Sequence, residues 1–125
     1  MKHELDRILQ TLCQALPEAT GAVVASSEGL VVASYPEDLE PTRVAVMAAL
    51  AHELGQRVAS TLSQGNFHEA TVCGEQGCVS LYSIDGGVLL AVQLPAGVNL
   101  GLVHLEARSS AYRIRQALRP SSPGF

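Results

Sequence analysis

PTRVAVMAALAHELGQRVASTLSQ, residues 41–64, is the stretch that decides the architecture of this chain. It favours helix throughout, it lies between β-like runs, and it is apolar on too many sides. At about 100° per residue, Val44, Met47, Leu50, Leu54, Val58 and Leu62 make one stripe of large side chains. Ala45, Ala48, Gly55 and Ala59 make a second stripe of small ones beside it. A helix resting on one sheet needs an apolar arc of roughly 100°, and this one has about twice that. It therefore has a second partner, and small residues admit a closely approaching one. Gly55 fits the same reading, because a helix-interior glycine costs about 1 kcal/mol against alanine and close approach accounts for it. The side carrying Glu53 and Arg57 is left to solvent.

Outward from this helix the chain is well punctuated. Leu5, Ile8, Leu9, Leu12 and Leu16 recur at helical spacing and stop at Pro17, which predicts a first amphipathic helix. Gly21 to Ala25 and Leu30 to Tyr35 read as strands around the turn residues Ser26-Ser27-Glu28-Gly29. After a loop from Pro36 to Pro41 comes the Ala-rich helix, closed by Gly65 as a C′ glycine closes one. Phe67 to Cys73, Cys78 to Ile84 and Val88 to Leu94 are three further strands, joined by tight turns at 74–77 and 85–87. The first of them is mixed in polarity and suits a sheet edge. Asn99 is a candidate N-cap for a last helix running to about Leu118, with Leu100, Val103, Ala107, Ala111, Ile114 and Leu118 as its core stripe. The order is α-β-β-α-β-β-β-α, and the tight turns make neighbouring strands antiparallel. The fold class is α+β: a five-stranded, mainly antiparallel sheet with helices on both faces. Residues 1–119 read as one domain and 120–125 as a disordered tail.

Composition narrows the possible functions. The chain has 125 residues, enough for one domain with a real core. With 4% aromatics, no Trp and a formal net charge of −4, it lacks both stacking platforms and the positive field that nucleic acid or an anionic membrane requires. No apolar run reaches the roughly 18 residues of a membrane span, and the N-terminus lacks the layout of a signal peptide. Three cysteines, an odd count, fit reduced thiols in a cytoplasmic protein better than a disulfide framework.

Three strings in this order resemble the Roadblock/LC7 family, in its bacterial MglB-like branch: GAVVASSEGLVVAS at 21–34, the Ala-rich helix ending at Gly65, and NLGLVH at 99–104. The resemblance covers residues 3–119. It implies a sheet of order 2-1-5-4-3, with the first and last helices on one face and the middle helix on the other. It implies a homodimer through the middle helices and third strands, joined into a ten-stranded sheet. On this chain that assigns Ala45, Ala48, His52, Gly55 and Ala59, with Phe67, Glu69, Thr71 and Cys73, to the interface between copies. The large stripe is then expected to face the sheet. Members of the family bind small Ras-like GTPases or act as light subunits and scaffolds. MglB-like members stimulate GTP hydrolysis without donating a catalytic residue.

No constellation of catalytic or ligand-binding residues competes with this. Cys73 and Cys78 flank a short turn near His68, but tetrahedral structural zinc takes four ligands, so two reduced thiols packed as small hydrophobes are expected. Ser26, Ser27 and Ser34 with His52 and His104 supply the residue types of a nucleophilic triad, without the Gly-x-Ser-x-Gly elbow. Gly97 to Gly101 precedes a helix but lacks a phosphate-binding pattern. Arg108, Tyr112, Arg115 and Arg119 lie on one side of the last helix. They read as a solvated face with cations near the negative dipole end, or as a docking strip for an acidic partner. Glu37, Asp38 and Glu40 read first as compensation of the next helix's dipole. The expectation is a non-enzymatic, homodimeric module without cofactor or metal that binds a small Ras-like GTPase. A scaffold subunit and, more distantly, a small-ligand sensor are the alternatives.

Overall fold

A computed structural model describes residues 2–36, 40–85 and 87–119. Its elements are α1 (Lys2–Ala15), β1 (Gly21–Ser26), β2 (Val31–Tyr35), α2 (Pro41–Thr61), β3 (Glu69–Gly74), β4 (Gly77–Asp85), β5 (Val88–Pro95) and α3 (Leu100–Leu118). The strands form one open sheet of order β2-β1-β5-β4-β3, and all four neighbouring pairs are antiparallel. The tail from Pro120 and the acids Glu37 and Asp38 lie outside the described residues.

Both faces of the sheet are covered, so its inner strands do not alternate between apolar and polar. All of Gly21 to Ala25 is buried. Ala22 and Val24 face α1 and α3, within a core built of Leu5, Ile8, Leu9, Leu12, Val103, Ala107 and Ile114. Val23 and Ala25 face α2, where Leu81, Leu89 and Ala91 continue the layer. Among the described residues, β3 ends the sheet on one side and has β4 as its single neighbour.

Local chemistry sets the element ends. Ser26 Oγ accepts from the backbone N–H of Glu28 and of Leu30, at 3.3 and 3.1 Å. This holds the β1–β2 turn, with Gly29 at φ +90°. Asn99 caps α3 as expected, its Oδ1 accepting from Leu102 N–H at 3.2 Å. The end of α2 departs from expectation: the helix stops at Thr61, and Ser63 (φ +56°) turns left-handed two residues ahead of Gly65 (φ +88°). Gln64 N–H bonds Ala59 C=O at 2.7 Å, and Ser63 N–H bonds Ser60 C=O at 3.2 Å. That pair of bonds is a Schellman closure, made two residues earlier than the glycine signal indicates.

Candidate protein-interaction surface

The two stripes of α2 exist, but the helix is rotated opposite to the sequence expectation. Ala45 and Ala48 are buried, at 0% and 4% exposure, against Val23, Ala25, Leu81 and Leu89. Small residues let α2 lie close to a sheet whose own side chains already fill the layer. Gly55 meets the sheet side too: a Cβ there would stand 2.3 Å from Cε1 of Phe67. Phe67 is buried, with His52 edge-on to its ring at 5.3 Å and 85°. Its backbone N–H is held by Gln56 Oε1 at 3.3 Å. Close approach is thus the right reason for Gly55, but the approaching group is an aromatic ring of the same chain. Ala59 is half-buried on the same side.

The large stripe is what remains outside. Met47, Leu50, Leu54, Val58 and Leu62 are 50–65% exposed, and Val46 adds to them at 42%. Only Val44 of the expected sheet-facing set packs on the core. The outcome is a continuous row of large apolar side chains along a 21-residue helix, about 30 Å at 1.5 Å per residue. Contiguous exposure of this kind marks a contact surface, unlike apolar residues scattered singly.

Beside this row lies the free edge of the sheet. Phe67 precedes β3 rather than belonging to it. Glu69, Thr71 and Cys73 lie within β3, with side chains on the face away from α2. Thr71 Oγ1 is 2.8 Å from Ser80 Oγ, and Glu69 takes a two-pronged ion pair from Arg108, one arm being Nε–H to Oε2 at 2.9 Å. That pair holds the Glu69 carboxyl below its ordinary range. Cys73 faces Cys78 directly across the hairpin, and the two form a disulfide. The expectation of two reduced thiols is therefore corrected: directly opposed strand positions bring the sulfurs together, and neither is left as a thiolate to hold a metal. On the α2 side of β3, Val72 is 62% exposed and extends the apolar surface.

The strip on α3 is less cationic than its composition. Arg108 is engaged with Glu69, and Arg115 Nε lies 3.5 Å from Asp85 Oδ2. Tyr112 is exposed and shares a groove with both arginines and His68. Arg119 follows the helix end, its N–H bonded to Gln116 C=O. The triad residue types are not assembled. Ser26 serves its turn, and His104 Nδ1 is 2.7 Å from the hydroxyl of Tyr82, whose phenol is pushed up by burial. Ser27 and His52 line one surface cleft with Glu53 and Arg57, yet no hydrogen bond joins them among the described residues. No group of three metal-ligating side chains occurs among the described residues, and no described helix is long and apolar enough to cross a membrane.

The family model for the Roadblock/LC7 domain matches residues 5–94. The uncharacterized protein MJ1340 of Methanocaldococcus jannaschii is 30% identical over 112 residues, covering 89% of this chain and 96% of its own length. A Roadblock/LC7 domain from Streptomyces avermitilis superposes with a TM-score of 0.86 at 22% identity, covering 92% of this chain and 98% of that one. Myxococcus xanthus MglB gives a TM-score of 0.80 at 16% identity over 90% and 93% of the two chains.

Proposed function

The chain belongs to the Roadblock/LC7 family, and from that premise we propose that it is a homodimeric regulatory module for a small Ras-like GTPase. The observation that carries the reading is the outward row Met47, Leu50, Leu54, Val58 and Leu62, lying beside the unpaired edge of β3. A second copy meeting this surface by a two-fold axis buries the same row on both sides. The β3 edges can then join through main-chain hydrogen bonds, which removes an exposed strand edge that is otherwise a liability. The interface thus keeps β3 with its Glu69, Thr71 and Cys73, while the large residues of α2 take the place first given to Ala45, Ala48, Gly55 and Ala59.

A rigid dimer gives a GTPase a broad platform. Switch segments of such GTPases are order–disorder elements, and a surface that binds one arrangement shifts their population. Modulation of hydrolysis then requires no residue donated by this chain. Cytoplasmic residence accords with such a partner. Sedimentation velocity tests the assembly: the wild type is expected as a dimer and Leu54→Asp as a folded monomer. A wild type that stays monomeric up to about 100 µM, a weak affinity on the usual scale, would sink the assembly reading. Binding and single-turnover hydrolysis with the cognate GTPase test the rest. Capture without a rate change makes the protein a scaffold, and no capture ends the proposal.

A further inference from the structure

β3 is tied to its neighbours three times on one face. Glu69 is held by Arg108 of α3, Thr71 by Ser80, and Cys73 by its disulfide to Cys78. The three tied residues alternate along the strand, and that alternation also decides where their main-chain groups point. Cys73 and Cys78 stand at a Cα separation of 4.1 Å, the close spacing of a pair that makes no ladder hydrogen bonds. His68, an even position, makes one: Ser83 N–H donates to its carbonyl at 2.8 Å. The N–H and C=O of the odd positions 69, 71 and 73 are therefore directed away from β4, toward the free edge. The last of these tied positions is fastened by a bond that reduction can open.

The two sides of the hairpin are not equally secure. Gly77 on β4 is pressed against β5, where a Cβ would lie 2.4 Å from the carbonyl oxygen of Leu94. Gly74 on β3 has nothing within 4 Å of a Cβ position. Cys78 packs on the core, whereas Cys73 is exposed. If the disulfide opens, β4 stays and the β3 end is the part released. The third cysteine, Cys13, is half-buried on α1 in that same core, and burial pushes its thiol up, so it is a poor nucleophile for exchange with the pair.

We propose that the Cys73–Cys78 disulfide is a redox-operated clasp on the strand edge at which a second copy docks. Oxidised, it holds the outward N–H and C=O of Cys73 in line with those of Thr71 and Glu69. Reduced, it lets the end of β3 fray and weakens self-association. This rests on the reading of β3 as the dimer edge. The reductant is a dithiol. One of its thiolates attacks the sulfur of Cys73, the more exposed residue of the pair, the S–S bond breaks, and Cys78 leaves as a thiolate that takes up a proton. The second thiol of the reductant then attacks the mixed disulfide. Cys73 is released as a thiol, and the reductant departs as its own disulfide.

The test uses the full-length protein, as purified and after dithiothreitol. Denatured without reductant, it is expected to take iodoacetamide at Cys13 alone, and after reduction at Cys73 and Cys78 as well. Reduction is expected to raise the dimer dissociation constant, measured by sedimentation, by roughly 5- to 10-fold, the lower range for coupled sites. Exchange of the Thr71 and Cys73 amides is expected to quicken in parallel. Cys73→Ser with Cys78→Ser should match the reduced wild type under both conditions. Labelling of Cys73 and Cys78 without reductant overturns the clasp outright. A dimer whose dissociation constant ignores reduction overturns it while leaving the β3-edge dimer standing. A wild type that is monomeric in both states removes the dimer edge, and the clasp with it.

Discussion

Replacing Gly55 by alanine sets two effects of opposite sign against each other, and the structure decides between them. Helix propensity favours the change by about 1 kcal/mol, since alanine is the best helix former and glycine among the worst. Against it, the new Cβ would stand 2.3 and 2.5 Å from Cε1 and Cδ1 of Phe67. A flexible side-chain end could move aside, but this ring is buried, packed edge-on by His52, and its backbone is tied to Gln56. Overpacking of a closed site costs roughly 1–3 kcal/mol, and the 2.3 Å contact places Gly55→Ala toward the upper part of that range. The net expectation is a loss of about 1–2 kcal/mol despite the better propensity. Urea denaturation in the Leu54→Asp background measures this without dimer dissociation entering the equilibrium. The cause is then isolated by a cycle with Phe67→Leu. With the ring removed, Gly55→Ala should become neutral or stabilising. If Gly55→Ala stabilises the otherwise unchanged protein, α2 does not lie on Phe67 as described and the rotation of the helix is wrong.

The same rotation makes Ala45→Leu destabilising by at least about 2 kcal/mol, because Ala45 is fully buried, while Leu50→Ala in the monomeric background should cost under about 0.5 kcal/mol; equilibrium unfolding of the two tells the orientations apart. Ser63→Gly should stabilise by a few tenths to about 1 kcal/mol, since Ser63 holds the left-handed closure of α2 that glycine adopts without a Cβ penalty; thermal unfolding that shifts downward would refute the assignment. Asn99→Ala should cost about 1 kcal/mol through loss of the α3 cap, read from the urea midpoint. For Glu69, the hydrogen-bonded Arg108 guanidinium lowers the folded-state pKa. The stabilisation is therefore present above the unfolded value of about 4.3 and is lost as pH falls through the folded one. The stability advantage of wild type over Glu69→Gln should shrink between about pH 6 and pH 3, and a gap independent of pH would contradict the ion pair.

The order of elements was legible because turns and caps are local. Ser26 with Gly29, Asn99, and the Gly74–Gly77 turn act within a few residues of themselves, and the structure uses each where the sequence indicates. The strand order and the placement of helices rest on family resemblance, which tight turns alone do not supply. The rotation of α2 was not legible. A helix with a large and a small apolar stripe satisfies its period with either face inward, and the choice depends on how much room the sheet leaves. One signal was available: Val23, Ala25, Leu81, Leu89 and Ala91 already thicken the sheet, so only a small-residue face can lie close to it. The burial of Phe67 was missed because Phe67 sits just outside β3, where strand alternation says nothing of its direction. The spacing of Cys73 and Cys78 indicated their proximity, but whether two opposed thiols join depends on distance and redox state, which spacing does not encode.

Because alanines and one glycine seat α2 on the sheet, the residues that hold the fold and those of the proposed interface stand on opposite sides of one helix. Substitutions along Met47, Leu50, Leu54, Val58 and Leu62 leave the buried layer untouched. Duplicated copies of such a gene can therefore diverge in whom they pair with, one outward side chain at a time, while every intermediate still folds. On the proposed reading, partner choice is largely uncoupled from stability, and new pairings are reached by short mutational paths.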